Sequence, residues 1–232
     1  EPPARLGARL RQVQSAAPHR VRPFIASDEE GGRVQRLAEA IYPLPSAATM
    51  GRWAPARVRR TAHDYALRMR RLGVRMDLGP VADLTYRGRY LARDGRTFSA
   101  DPQRVAARAR AWRLGMADAG VVTVIKHWPG HGAARNSHTG PALVPARRAL
   151  EARDLLPYAA ALAHGTPVVM VRHLRSAGLT RGETPASQSR RALRYLRRSA
   201  GPSAVIVTDS LTMAAASSAL GLSPARAAVR SL

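Results

Sequence analysis

The sequence predicts an α/β fold of the (β/α)8 TIM-barrel type, incomplete at both ends, and three observations carry that expectation. Short β-branched or apolar runs alternate with longer stretches of helical spacing rich in alanine and arginine, the pattern of parallel strands joined by crossover helices. Each strand candidate is short and apolar, as strands covered on both faces are. Reactive side chains, namely Asp28, Asp83, Lys126, His127, His173 and Asp209, stand at or just after the C-terminal ends of these runs. Five strand ends converging on one face is the layout of a barrel active site, whereas a doubly wound sheet gathers its site at one switch point.

The elements follow in order. The first strand candidate is 23–27, and a helix over about 56–72 closes at Gly73 before a second strand at 74–78. A helix over 102–119 shows apolar Val105, Ala109, Trp112 and Met116 at three- and four-residue steps, closes at Gly120 and leads to a strand at 121–126. A helix over 149–164, closed by Gly165, precedes the strand 167–171, and a helix over 187–199 precedes the strand 204–208. A last helix starts near Ser223-Pro224, where proline suits a first turn. A barrel of about 250 residues has eight strands; five are legible here, so a βα unit is expected to be missing at each end. The segments 43–45 and 178–185 read as loops, no repeat or linker interrupts the chain, and 1–232 is read as one catalytic barrel domain.

Composition narrows the class. With 232 residues and 45% hydrophobic content the chain can bury a sizeable core. No apolar run approaches the roughly 18 to 20 residues of a spanning helix, and the first five residues carry no apolar signal segment. Without cysteine there is no disulfide framework, thiolate metal site or cysteine nucleophile. The net charge of +23 invites a polyanion partner, but Lys126 is the only lysine and the arginines are spread over helix candidates. Only Arg190, Arg191, Arg194, Arg197 and Arg198 form a dense cluster, with little aromatic interleaving, which reads as solvated helix faces and argues against nucleic acid.

Three segments could carry chemistry. After the first strand comes Asp28-Glu29-Glu30-Gly31-Gly32-Arg33-Val34-Gln35-Arg36. Its paired glycines let backbone approach a ligand, Asp28 can accept from sugar hydroxyls, and Arg33 or Arg36 can grip oxygens in forked geometry; the alternative is a turn with a surface salt bridge. It matches neither a dinucleotide fingerprint nor a phosphate loop. The segment from Lys126 to His138 packs three histidines and the Trp128-Pro129-Gly130 turn into thirteen residues. His127, His131 and His138, with His173, could ligate a metal; His127 and His131 could equally be structural, and His138, in a polar loop, suits a mobile acid/base. Asp209 ends an apolar strand, placed as a nucleophile or electrostatic stabiliser, or as a helix cap.

Taken together and in order, the residues at 28–37 (Asp-Glu-Glu-Gly-Gly-Arg-Val-Gln-Arg-Leu), Gly-Pro-Val-Ala-Asp at 79–83, Arg-Thr-Phe-Ser-Ala-Asp-Pro at 96–102, Lys-His-Trp-Pro-Gly-His-Gly at 126–132, Val-Met-Val-Arg-His at 169–173 and Thr-Asp-Ser-Leu-Thr-Met at 208–213 resemble glycoside hydrolase family 3. The chain looks like the bacterial β-N-acetylglucosaminidases of that family, from about residue 23 onward. The resemblance implies a (β/α)8 barrel and a retaining, two-step hydrolysis of terminal β-linked N-acetylglucosamine in peptidoglycan fragments, without metal or organic cofactor. It implies Asp209 as nucleophile, His138 as acid/base in place of the usual carboxylic acid, and Asp28, Arg36, Arg96, Lys126 and His127 as sugar-holding residues. A histidine with an ordinary pKa of about 6.5 can cycle in both directions at neutral pH.

Two departures stand out. The family places the acid/base histidine in an Asp-Ser-His triplet, and here the triplet is Asn136-Ser137-His138. Asparagine can still accept a hydrogen bond from the ring but supplies no charge, so the imidazolium is expected to be less stabilised and activity reduced. The second departure is the missing strands. The rival expectation is a weakened paralogue that binds a cell-wall sugar or polyanion. The expected partner is a small carbohydrate or muropeptide, and the resemblance leaves the compartment open between cytoplasm and export.

Overall fold

The computed structural model of the chain describes residues 3–18, 23–162 and 167–232. Helix α1 (Pro3–Ser15) precedes β1 (Ala26–Ser27), which runs into a hairpin of β2 (Glu29–Gly31) and β3 (Val34–Gln35). Helices α2 (Ala47–Met50) and α3 (Pro55–Leu72) lead to β4 (Met76–Asp77), and α4 (Tyr90–Arg93) and α5 (Pro102–Asp118) lead to β5 (Val122–Trp128). Next come β6 (Ala142–Leu143), α6 (Arg147–Ala149), a π-helical turn (Leu150–Asp154), α7 (Leu156–Leu162) and β7 (Val168–Val171). Strand β8 (Leu174–Arg175), a 3-10 turn (Ala186–Gln188) and α8 (Arg190–Ala200) precede β9 (Val205–Thr208); α9 (Pro224–Arg230) follows.

The main sheet is β1-β4-β5-β7-β9, every pair parallel. Its spatial order equals its chain order, so each crossover advances in one direction, as in a barrel; a doubly wound sheet reverses midway. Among the described residues β1 and β9 each pair on one side only, and the sheet is an open arc of barrel type. Side chains alternate across it. Val124, Val168 and Met170 cluster on one face, while Ile125, Val169 and Val171 pack on the other against Tyr158 and Leu162 of α7 and Ala192 and Leu196 of α8.

The helices follow their sequence logic at the starts and diverge where a local residue intervenes. Asp101 caps α5 by accepting from the Gln103 and Arg104 N–H groups, and Val105, Ala109, Trp112 and Met116 form its buried stripe. Ser189 caps α8, which begins at Arg190 rather than at 187, and Ser223 caps α9 at Pro224. The helix expected over 149–164 is divided into α6, the π turn and α7. Pro157 supplies no N–H for the bond to residue 153, and the Leu155 N–H bonds Leu150 O at 2.8 Å, one residue further back than in an α-helix. Residues 163–164 and Gly165, expected to end that helix, lie outside the described residues.

Helices α3 and α5 cross at Gly115, where a Cβ would lie 2.2 Å from Arg59 O and 2.8 Å from Ala62 Cβ. Helix propensity alone makes glycine to alanine favourable by about 1 kcal/mol. Here overpacking against backbone reverses the sign: Gly115→Ala is expected to destabilise by about 1–3 kcal/mol. Thermal unfolding checks this as a midpoint lowered by roughly 2–4 °C per kcal/mol in a chain of this size.

Candidate active site

The C-terminal ends of the sheet strands carry the polar groups. Asp28 stands between β1 and β2, Lys126 near the end of β5, and the Lys126 Nζ bridges Asp28 Oδ1 and Glu30 Oε1, both at 2.6 Å. Glu30 also receives Arg96 in a fork, Nε at 2.8 Å and Nη2 at 2.9 Å. Glu30, Arg96 and Lys126 are buried, and Asp28 is part-exposed, so a ligand hydroxyl can reach its carboxylate. Burial opposes ionisation of Glu30, but Lys126 and Arg96 outweigh it and hold the carboxyl below its usual range.

Asp83, after β4, is the hub under the next histidines. Its fully buried carboxylate accepts from His127 Nδ1 at 2.7 Å, the His127 N–H at 3.2 Å, the His131 N–H at 2.6 Å and the Tyr158 hydroxyl at 2.9 Å. Burial pushes Asp83 up to about 6 and holds His127 well below its ordinary value; His131 falls to about 3. The His127 Nδ1–H therefore points to Asp83, and Nε2, without a protein partner among the described residues, is left as an acceptor for a ligand hydroxyl. His131 donates Nε2–H to Arg135 O at 3.1 Å and serves the architecture.

Asp209 follows β9. Its Oδ1 accepts the Ser210 N–H at 2.7 Å and its Oδ2 pairs with Arg172 Nη1, the side chain being 11% exposed. Burial raises its pKa, but the Arg172 charge and these hydrogen bonds prevail and hold the carboxylate ionised below its usual range. The exposed His138 stands on the 136–139 loop, docked on the segment after β9 by the Ala214 N–H to His138 O at 3.4 Å and the Ala215 N–H to Ser137 O at 3.3 Å. Partial burial and then Arg172 lower the pKa of His138, while Asp209 acts to raise it. The fields of Arg172, Arg96 and Asp209 all reach His131, so the two clusters share one site.

Asp28, Glu30, Arg96 and Lys126 thus form one ion-paired network, His127 belongs to the neighbouring Asp83 cluster, and Arg172 joins Asp209 to Ser137 of the His138 loop. Arg36 does not join them: its side chain is exposed, and only its N–H engages the motif, at Asp28 O and Glu29 Oε1. Asn136 Oδ1 accepts the His138 backbone N–H at 3.0 Å in an Asx-type turn, not the imidazole as expected, because the side-chain oxygen reaches an amide two residues on more easily. The Gly31-Gly32 pair yields to protein rather than ligand: a Cβ on Gly31, at φ 83°, would lie 2.2 Å from Pro45 O. His173 bonds Ser187 Oγ and Ser210 O, and among the described residues no group of three or more His, Asp or Glu side chains could hold a metal ion. Sequence reasoning gave no role to Glu30, Arg172 or Ser137, although a charged pair closing an apolar strand, Arg172-His173, was a readable signal.

Residues 4–232 match the model of the glycosyl hydrolase family 3 N-terminal domain. The chain is 39% identical over 210 residues to the β-hexosaminidase LpqI of Mycobacterium tuberculosis, covering 87% of this chain and 54% of that protein. It is 36% identical over 225 residues to a β-hexosaminidase of Stenotrophomonas maltophilia, covering 92% of this chain and 65% of that protein. The chain thus spans between half and two thirds of these relatives. A solved family 3 glycosyl hydrolase of Mycobacterium smegmatis superposes with a TM-score of 0.88 at 36% identity, covering 96% of this chain and 68% of that one. Motif order, an advancing parallel sheet and this match over nearly the whole length agree, and the chain belongs to the glycosyl hydrolase family 3 N-terminal domain family.

Proposed function

We propose that the chain is a catalytic barrel domain of a retaining β-N-acetylhexosaminidase, removing terminal β-linked N-acetylglucosamine from peptidoglycan fragments. The observation that carries the reading is Asp209, an ionised, part-exposed carboxylate ending a barrel strand, with His138 on the loop docked beside it. The names of the relatives support the same activity. An Asp209 oxygen attacks the anomeric carbon as the glycosidic C–O bond breaks, and protonated His138 gives its proton to the departing oxygen. Neutral His138 then takes a proton from water, whose oxygen attacks the same carbon and releases Asp209 as carboxylate. Asp28 accepts from sugar hydroxyls with Lys126 and Arg96 beside it, and His127 Nε2 accepts from another; Arg36, whose side chain is exposed, is given no part.

Asn136 limits the acid step. His138 titrates low because burial and Arg172 outweigh the Asp209 charge, and among the described residues no carboxylate hydrogen-bonds its ring. Release of 4-nitrophenol from the β-N-acetylglucosaminide, followed from about pH 5 to 8, tests the reading. The wild type is expected to turn over slowly, and Asn136→Asp to raise kcat by about tenfold or more, moving the alkaline limb upward because a new carboxylate favours imidazolium. A folded wild type and a folded Asn136→Asp that both release nothing would overturn the hydrolase reading. That result would favour the second reading, a sugar- or polyanion-binding relative, to which the spent Asn136 oxygen and the exposed arginines of α8 point.

A further inference from the structure

Arg172 is a buried charged side chain that the proposed mechanism leaves without a part. It follows β7 directly and is 2% exposed. Its contacts tie three strands' ends together: its N–H bonds Trp128 O of β5 at 2.9 Å, Nε bonds Ser137 Oγ at 2.9 Å, and Nη1 pairs with Asp209 after β9. Nη2 is buried without a partner. The buried Asp83 carboxylate, which also feels the Arg172 charge, is already occupied by His127, His131 and Tyr158, and among the described residues Asp209 is the one acid this guanidinium pairs with. Ser137 stands between Asn136 and His138, and its own carbonyl is held by Ala215.

We propose that Arg172 is a positioning residue that registers the Asp209 carboxylate against the His138 loop through Ser137, one rigid guanidinium setting both reacting groups. The proposal rests on the roles of Asp209 and His138 given above. A planar fork suits this task, since its N–H vectors are fixed relative to one another and a lysine ammonium cannot reproduce them. The charge acts on both partners at once. Asp209 is faced by Arg172 and His173 from the end of β7 and by His131 and His138 from the 131–138 segment; His138 is faced by Arg172, Asp209 and Arg96. Among these the Arg172 guanidinium favours the deprotonated form of both groups. Without it both titrate higher.

The test compares pH profiles of kcat/KM for wild type, Arg172→Gln, Arg172→Lys, Ser137→Ala and Asp209→Ala, each checked for cooperative unfolding. Arg172→Gln is expected to lower kcat about a hundredfold through misplacement and to move both limbs upward by about one pH unit. Arg172→Lys should return the limbs to their wild-type positions while recovering little of the rate. Ser137→Ala should lose about tenfold in kcat with both limbs unmoved, since the charge remains. A folded Arg172→Gln with wild-type limbs overturns the proposal whatever its rate. If Arg172→Gln does not fold, Ser137→Ala decides, and wild-type kcat there overturns it. Turnover retained in Asp209→Ala would instead remove the underlying reading of the site; a dead Asp209→Ala beside an unmoved Arg172→Gln removes only the inference about Arg172.

Discussion

Asp209→Ala is expected to lose roughly four to six orders of magnitude in kcat, the scale on which removal of a covalent nucleophile acts. The magnitude follows from the site. No second carboxylate can step in: Glu30 and Asp83 are buried and saturated by Lys126 and Arg96, and by two N–H groups, an imidazole and a phenol. Asp28 is held by Lys126. The substitution also leaves the buried Arg172 cation unpaired, so Asp209→Asn serves beside it as a variant that keeps the volume. Initial rates on the 4-nitrophenyl glycoside read the loss. Azide, small and anionic, is expected to enter the space vacated by the carboxylate and partly restore release of 4-nitrophenol in Asp209→Ala. Undiminished turnover in either variant would exclude the assigned role.

Glu30→Gln is the second large effect, and it falls on stability as well as rate. Glu30 is the common partner of two buried cations, with side-chain exposures of 1% for Glu30, 8% for Arg96 and 3% for Lys126. Removing one member of such a group strands buried charge and costs about 3–5 kcal/mol. At roughly 2–4 °C per kcal/mol this lowers the unfolding midpoint by on the order of 10 °C, measurable by circular dichroism. The pH dependence carries a sign. The folded pKa of Glu30 is lowered, so its stabilisation is present above the unfolded carboxyl pKa and is lost as pH falls through the folded value. The variant should therefore show a shallower loss of stability on acidification. A midpoint within a degree of wild type would show that the triad contributes nothing net.

The alternation of elements, the strand ends and the motif residues were legible in one dimension because each depends on local patterning. Asp28, Lys126 and Asp209 could be located by rule: a polar residue at the end of an apolar parallel strand faces the loop side of the sheet. Arg36 and Arg33 were equally plausible from the motif, yet both are exposed, since the β2–β3 hairpin turns them outward while its neighbour Glu30 points in. That alternation depends on where the hairpin turns and on the irregular register between Glu29 and Gly31, which local spacing does not reveal. Asn136 was recognised as a departure, but whether its oxygen served the ring or the backbone of His138 depended on the turn it adopts.

The chain's own order of residues was enough to settle a parallel α/β architecture and the family, and to nominate the groups proposed to react, because periodicity, capping and motif spacing are short-range properties that survive without coordinates. Tertiary structure alone decided the partners: Glu30 for Arg96 and Lys126, Asp83 for His127 and His131, Arg172 for Asp209 and Ser137. Those pairs join positions 66 to 96, 44 to 48, and 35 to 37 residues apart in the chain. Charge and hydrogen-bond complementarity over such separations exist only once the sheet has brought its strand ends together, and burial then sets the pKa of each group.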